Sequence, residues 1–199
     1  MSNSASDSVA GIEQSLPEEL ALPIRVWPIE DFNWRQSVAT GALLGSIAGC
    51  VSLVLNVIGS VAWPAVSGVE QHPLRLIQVY LTFPLGERAL GLHSGWLLAG
   101  GCVLYLATGL LYGALFESIA EYFFPRAQMG GRLLIFSFLG LAVWVVNFYG
   151  VLIWLQPLVL KGRWIIDLVP WWVAAVTHLA FAWTLAVIHP SGEQQVERR

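Results

Sequence analysis

Charge is what this sequence has least of. Its 199 residues carry ten Lys and Arg and thirteen Asp and Glu, 12% of the chain, where a soluble protein carries roughly a quarter. The charges are also missing from four long stretches, 36–69, 89–116, 133–160 and 168–192, which together hold 115 of the residues. A chain of this kind cannot give a soluble domain its charged surface, so a water-soluble globular protein is excluded. Basic clusters are lacking too, and at a net charge of −3 nothing tracks a phosphate backbone, which excludes nucleic acid as a partner. The apolar runs do not alternate with polar residues, which excludes a β-barrel and its strands of about ten residues.

Cysteine is nearly absent. Cys50 and Cys102 both fall inside apolar runs, where a thiol packs as a small hydrophobe and a zinc site would need more ligands nearby. Spacing alone leaves open whether the two are bonded. There is no Ser-His-Asp arrangement, P-loop, dinucleotide glycine fingerprint or intramembrane metalloprotease motif. Enzyme activity is therefore not expected of this chain.

What is present is hydrophobicity: 56% of the residues are apolar and the mean hydropathy is +0.66. Crossing a ~30 Å hydrocarbon core takes about 20 helical residues, and all four uncharged stretches exceed that. The expected fold is all-α, a polytopic membrane protein with four transmembrane helices in a bundle, spanning 38–63, 89–115, 133–155 and 168–188 within a domain of 34–190. Residues 1–33 read as an acidic, mostly disordered tail, and 191–199 as a short polar one. The acidic start, with Asp7, Glu13, Glu18 and Glu19, fits neither a cleavable signal nor a transit peptide, so the first span reads as an uncleaved anchor. Trp-Pro at 63 and 64 closes that span, Pro125 follows the second, and Asp167 stands where it would cap the fourth. Trp34, Trp63, Trp154, Trp164, Trp171 and Trp172 lie near span ends, as an interfacial aromatic belt requires.

Basic residues number six on the side of Arg25, Arg35, Arg126, Arg132, Arg198 and Arg199, against four on the other. The positive-inside rule then puts both termini in the cytoplasm. Between the first two spans, the apolar segment from His72-Pro73 to Arg88 is too short and too charged to cross and predicts a short helix lying in the outer interface, with Arg75, Gln78 and Thr82 recurring on one side.

Small residues recur every fourth position at Gly41, Gly45 and Gly49 in the first span, and at Gly91, Gly95 and Ala99, then Gly109 and Gly113, in the second. Such grooves let helices approach closely, which drives association in lipid. The spacing does not say whether the neighbour is a helix of the same chain or of another subunit.

Ionisable groups at membrane depth are costly, and here one stands near the bilayer centre. His178 lies ten residues into the fourth span, Asn147 at a comparable depth in the third, and antiparallel helices would let them hydrogen-bond. The histidines do not match in depth as two haem ligands would, since His93 lies near the start of its span, and no Met or Cys completes a metal site. No metal or other cofactor is expected, haem being the one group the histidines raise. Glu117 and Glu121 share a face at the end of the second span and read as a solvated ion-pair cluster with Arg126 and Arg132. A transporter would show broken helices and a charged centre. Neither is evident, although an oligomeric channel lined by Asn56, Asn147, Thr177 and His178 fits the polar residues that do occur.

The segments Asn147-Phe-Tyr-Gly150, Trp154-Leu-Gln-Pro157, Pro170-Trp-Trp172 and Thr177-His178-Leu179 resemble small four-helix bacterial inner-membrane proteins associated with respiratory oxidase complexes. The resemblance covers about half the chain and carries no catalytic residues with it. It implies the bacterial inner membrane and an accessory role. The expectation is thus a non-catalytic accessory or scaffolding subunit of a larger, respiratory membrane complex, its partners being the lipid bilayer and other membrane subunits met through the first two helices. A small transporter or channel with a polar site at Asn147 and His178 is the alternative, and a haem- or quinone-handling redox subunit the third.

Overall fold

The computed structural model of the chain describes residues 32–67, 74–125 and 127–189, with the backbone alone described for 60–67. Both tails, His72, Pro73, Arg126 and the Trp63 side chain lie outside the described residues.

Helix α1 runs Trp34–Ser67, α2 Arg75–Leu85, α3 Gly95–Phe123, α4 Met129–Val145, α5 Ile153–Leu160, α6 Trp164–Leu168 and α7 Trp171–Ile188. No strand occurs among the described residues. A short 3-10 helix at Gly86–Gly91 links α2 to α3, and a wide π-helical stretch at Val146–Leu152 joins α4 to α5 into one rod. Four helical segments are long and apolar enough to cross a membrane: Trp34–Gly59, Gly95–Phe123, Met129–Leu160 and Trp171–Ile188. Every backbone amide inside such a helix bonds within its own segment, which is what lipid demands.

The ends depart from the sequence expectation where local chemistry intervenes. The second long helix starts at Gly95, because the chain from Gly86, in a left-handed conformation at φ 66°, first winds through the 3-10 turn. His93 therefore precedes the helix. α1 continues past Pro64 to Ser67. The fourth long helix starts at Trp171 after Pro170, and Asp167 does not cap it: that carboxylate lies inside α6 and pairs with Arg163 at 3.6 Å.

The main packing is α1 against α3, α4 against α7, and α1 against α7. Phe116, Phe136 and Leu185 fill the centre of that core with Ala48, Ala182 and Ala186. Phe116 meets both Phe136 and Phe181 edge-on, each at 6.0 Å between ring centres, the arrangement favoured by ring quadrupoles. Helix α2 lies against α1, α3 and α6. Its polar stripe is turned inward: Gln78 and Thr82 are buried, Gln78 donating to the Leu92 carbonyl at 2.7 Å. Gln156, fully buried, donates to Thr82 at 3.0 Å and accepts from the Ile165 amide at 3.1 Å, so one side chain joins α2, α5 and α6.

Trp34, Trp154, Trp171 and Trp172 are exposed near helix ends, and Trp96, at 89%, is the most exposed of them. Both cysteines are free.

Candidate binding chamber

The glycine grooves close on each other. A Cβ on Gly41 would lie 2.5 Å from the Gly113 carbonyl oxygen and 2.8 Å from the Ala114 Cα; one on Gly45 would lie 2.8 Å from the Gly113 Cα; and one on Gly113 would strike the Gly41 carbonyl. Here α1 and α3 touch backbone to backbone, which only glycine permits. Gly109 faces Gly45 and Gly49, while Gly49 meets the Leu106 side chain at an ordinary 3.4 Å. Gly91 and Gly95 do not belong to this seam. They lie in the 3-10 turn and at the first position of α3, where an added Cβ would meet nothing within 4 Å.

Two close approaches went unread because each glycine stands without a small residue four positions away. A Cβ on Gly140 would come within 2.9 Å of the Ala182 Cβ, drawing α4 onto α7, and one on Gly101 within 2.7 Å of Ile77, seating α2 on α3.

Beside the seam the helices separate around a chamber of about 320 Å³, within the size range of small-molecule sites. Asn56, Asn147, Thr177 and His178, the four polar residues marked out by sequence, all line it. They converge inside one chain, whereas the sequence suggested a pore between copies. The pairing expected between Asn147 and His178 is absent. Asn147 sits in the π-helical stretch, where the widened turn redirects it toward α3: its Nδ2 donates to the Tyr112 hydroxyl at 2.6 Å, and that hydroxyl lies 3.0 Å from Oδ1.

The histidine is held by its own helix. His178 Nδ1 lies 2.8 Å from the Ala174 carbonyl. A carbonyl only accepts, so Nδ1 carries the proton and a neutral ring presents Nε2 as an acceptor. Phe148 braces the ring edge-on at 6.3 Å.

The other polar groups are tied in pairs across helices. The Tyr105 hydroxyl shares a bond with the Ser52 hydroxyl at 2.7 Å and accepts from the Asn56 amide at 2.6 Å, both on α1. Tyr80 of α2 bonds Thr108 of α3 at 2.7 Å. Burial pushes the Tyr80 phenol above its ordinary range, its bond to Thr108 pulling the other way. Leu76, Val79 and Phe83 of α2 close the chamber on one side, and Val143, Leu152 and Phe181 are among the apolar residues of the remaining wall. Among the described residues that line it, none is charged. A neutral, largely apolar guest is what such a wall accommodates, because an ion would lose its hydration without a counter-charge.

Glu117 is not the solvated carboxylate expected of it, while Arg126, the nearest basic residue of the expected cluster, lies outside the described residues. Glu117 is 1% exposed and accepts from His189 Nδ1 at 2.7 Å, and Glu121 holds the Ser37 hydroxyl. Packing explains the difference: the Glu117 Cβ lies where a Cβ on Gly41 would stand, 2.6 Å away, so the bare glycine admits the carboxylate between the helices. Among the described residues no group of three or more His, Cys, Asp or Glu is placed to hold a metal ion. Comparison with protein-family models, with curated proteins and with solved structures finds no match for this chain.

Proposed function

We propose that this four-span chain binds a small neutral lipophile with a hydrogen-bonding head in its central chamber, and acts as a small transporter or carrier for it. The observation that carries the reading is the convergence of Asn56, Asn147, Thr177 and His178 on one uncharged cavity of about 320 Å³. The head is a hydrogen-bond donor such as a hydroxyl, matched to the acceptor at His178 Nε2, and the apolar remainder lies among Val143, Leu152 and Phe181. The π-helical stretch supplies the interrupted helix that transporters place beside their sites. In this reading α2 lies at the outer interface over the chamber, with Arg75 and Arg88 toward water. Both termini are cytoplasmic and the membrane is the bacterial inner membrane.

The test is native mass spectrometry of the full chain released from membranes in mild detergent, beside flux measurements in liposomes. A single small lipophile per chain is expected, lost from Val143→Trp, which fills the chamber, and weakened at least tenfold in His178→Ala, about 1.4 kcal/mol. A chain that carries no such molecule, or carries it equally well with the chamber filled, overturns the reading.

The second reading is a non-catalytic accessory subunit of a respiratory membrane complex. The seam between α1 and α3 is occupied within the chain, so its support is a different surface: Leu134, Phe138, Leu141 and Val145 are exposed along one face of α4, spaced as a helix partner's knobs require. Co-purification of haem-bearing subunits that is lost in Phe138→Ala and kept in Val143→Trp would favour it over the carrier. A third reading, a haem- or quinone-handling redox subunit, predicts visible absorption or a bound quinone in the isolated chain.

A further inference from the structure

The direction of each hydrogen bond in the chamber wall decides what the wall can offer a guest. A hydroxyl carries one proton and two lone pairs, so once its proton is given to a protein acceptor it can only receive. Thr108 donates to the Leu104 carbonyl at 3.0 Å, which makes Tyr80 the donor in the 2.7 Å bond between them. On α7 the Ala174 carbonyl takes both the Thr177 hydroxyl at 3.0 Å and His178 Nδ1 at 2.8 Å. Ser52 of α1 donates to the Thr177 carbonyl at 3.4 Å, so Tyr105 gives its proton to Ser52 while accepting from the Asn56 amide. Tyr112 donates to Asn147 Oδ1 at 3.0 Å and accepts from Nδ2 of the same amide at 2.6 Å.

Among the described lining residues there are six hydroxyls, and every one of their protons is directed to a protein acceptor. What the wall has left for a guest is chiefly lone pairs. His178 Nε2 has no partner among the described residues, and no charged residue described in the wall holds the ring as an imidazolium, so this nitrogen remains an acceptor. The Tyr80 and Thr177 oxygens keep lone pairs as well. A buried acceptor that meets no donor loses its hydration without return. A guest that brings an O–H to Nε2 avoids that loss, whereas a carbonyl oxygen would set lone pairs against a lone pair. Sites built around such a bond reject the analogue lacking it far more strongly than an apolar pocket rejects a misfit of one methylene.

We propose that the chamber is selective for the hydroxyl form of its guest, an alcohol, phenol or hydroquinone, over the carbonyl form with the same carbon skeleton, and that His178 Nε2 sets this preference. The selectivity rests on the carrier reading above and adds to it the oxidation level of the guest's head.

Calorimetric titration of the full chain in nanodiscs, with empty nanodiscs as reference, tests it using menthol and menthone, which share one skeleton and differ in a hydroxyl against a carbonyl. Menthol should bind the wild type about tenfold or more tighter than menthone. In His178→Leu the two should come within about twofold of each other, menthol weakening and menthone holding. Val143→Trp should exclude both. Equal binding of the two to the wild type, or tighter binding of menthone, overturns the selectivity and leaves the carrier reading standing if Val143→Trp abolishes it. No binding of either, or binding that Val143→Trp leaves unchanged, overturns both. A preference for menthol that survives in His178→Leu overturns the role given to Nε2. Should that variant not fold, His178→Phe serves in its place, and the wild-type ratio alone still decides the selectivity.

Discussion

Helix α3 meets its neighbours in two opposite ways. Along Gly109 and Gly113 it lies bare against α1 with no side chain between the backbones, while its Tyr105, Thr108 and Tyr112 stand out toward α1, α2 and the π-helical stretch and hold a space open. Lipid offers no hydrophobic incentive for either arrangement, since its tails are as apolar as leucine. The seam is held by close van der Waals contact, and the chamber wall by hydrogen bonds that span the gap. Helices can thus pack tightly along one line and stand apart along another, provided the two tasks fall to different faces.

The largest effect should come from filling the seam. Gly113→Leu forces α1 and α3 apart and should cost about 3 kcal/mol or more, read as a fall in the unfolding midpoint in detergent. Gly95→Leu, on the same helix but facing open space, should stay within about 0.5 kcal/mol of wild type. Equal effects at the two positions would erase the distinction between seam and surface. On the chamber side, Tyr105→Phe removes the one hydroxyl that serves both Ser52 and Asn56 and should cost about 1–2 kcal/mol. Tyr112→Phe should cost less, about 0.6 kcal/mol as is usual between membrane helices, while releasing the Asn147 amide to the chamber and altering which head group is bound. The smallest effect should come from Lys161, which ends α5 in a left-handed conformation at φ 62°. Lys161→Gly should stabilise by about 0.5 kcal/mol by relieving that strain, and a loss of stability instead would mean that the lysine side chain itself holds the turn into α6.

The seam was legible because its signal is periodic. Gly41, Gly45 and Gly49 repeat at the spacing that keeps one face of a helix flat, and so do Gly109 and Gly113. The same rule over-read Gly91 and Gly95, since the spacing carries no mark of where the helix begins, and it passed over Gly101 and Gly140, whose partners are Ile77 and Ala182 far away in the chain. The chamber was half legible. Its polar residues are conspicuous in an apolar sequence, but Asn147 bonds Tyr112 and His178 bonds its own helix, because the π-helical turn rotates Asn147 in a way that regular helical geometry does not anticipate. Glu117 read as a surface carboxylate because its distance from charged neighbours along the chain says nothing of the glycine opposite.

The sequence by itself determined that the chain is helical and that four of its segments are long and apolar enough to cross a membrane. Those properties arise from the length of each uncharged run and from the need of a backbone in lipid to bond within its own segment. Tertiary structure alone decided that the two grooves meet each other, that four scattered polar residues share one chamber, and that Glu117 is enclosed with His189. Those are distances between helices, and they depend on how closely glycine lets two backbones approach and on how far a widened turn rotates the rest of its helix.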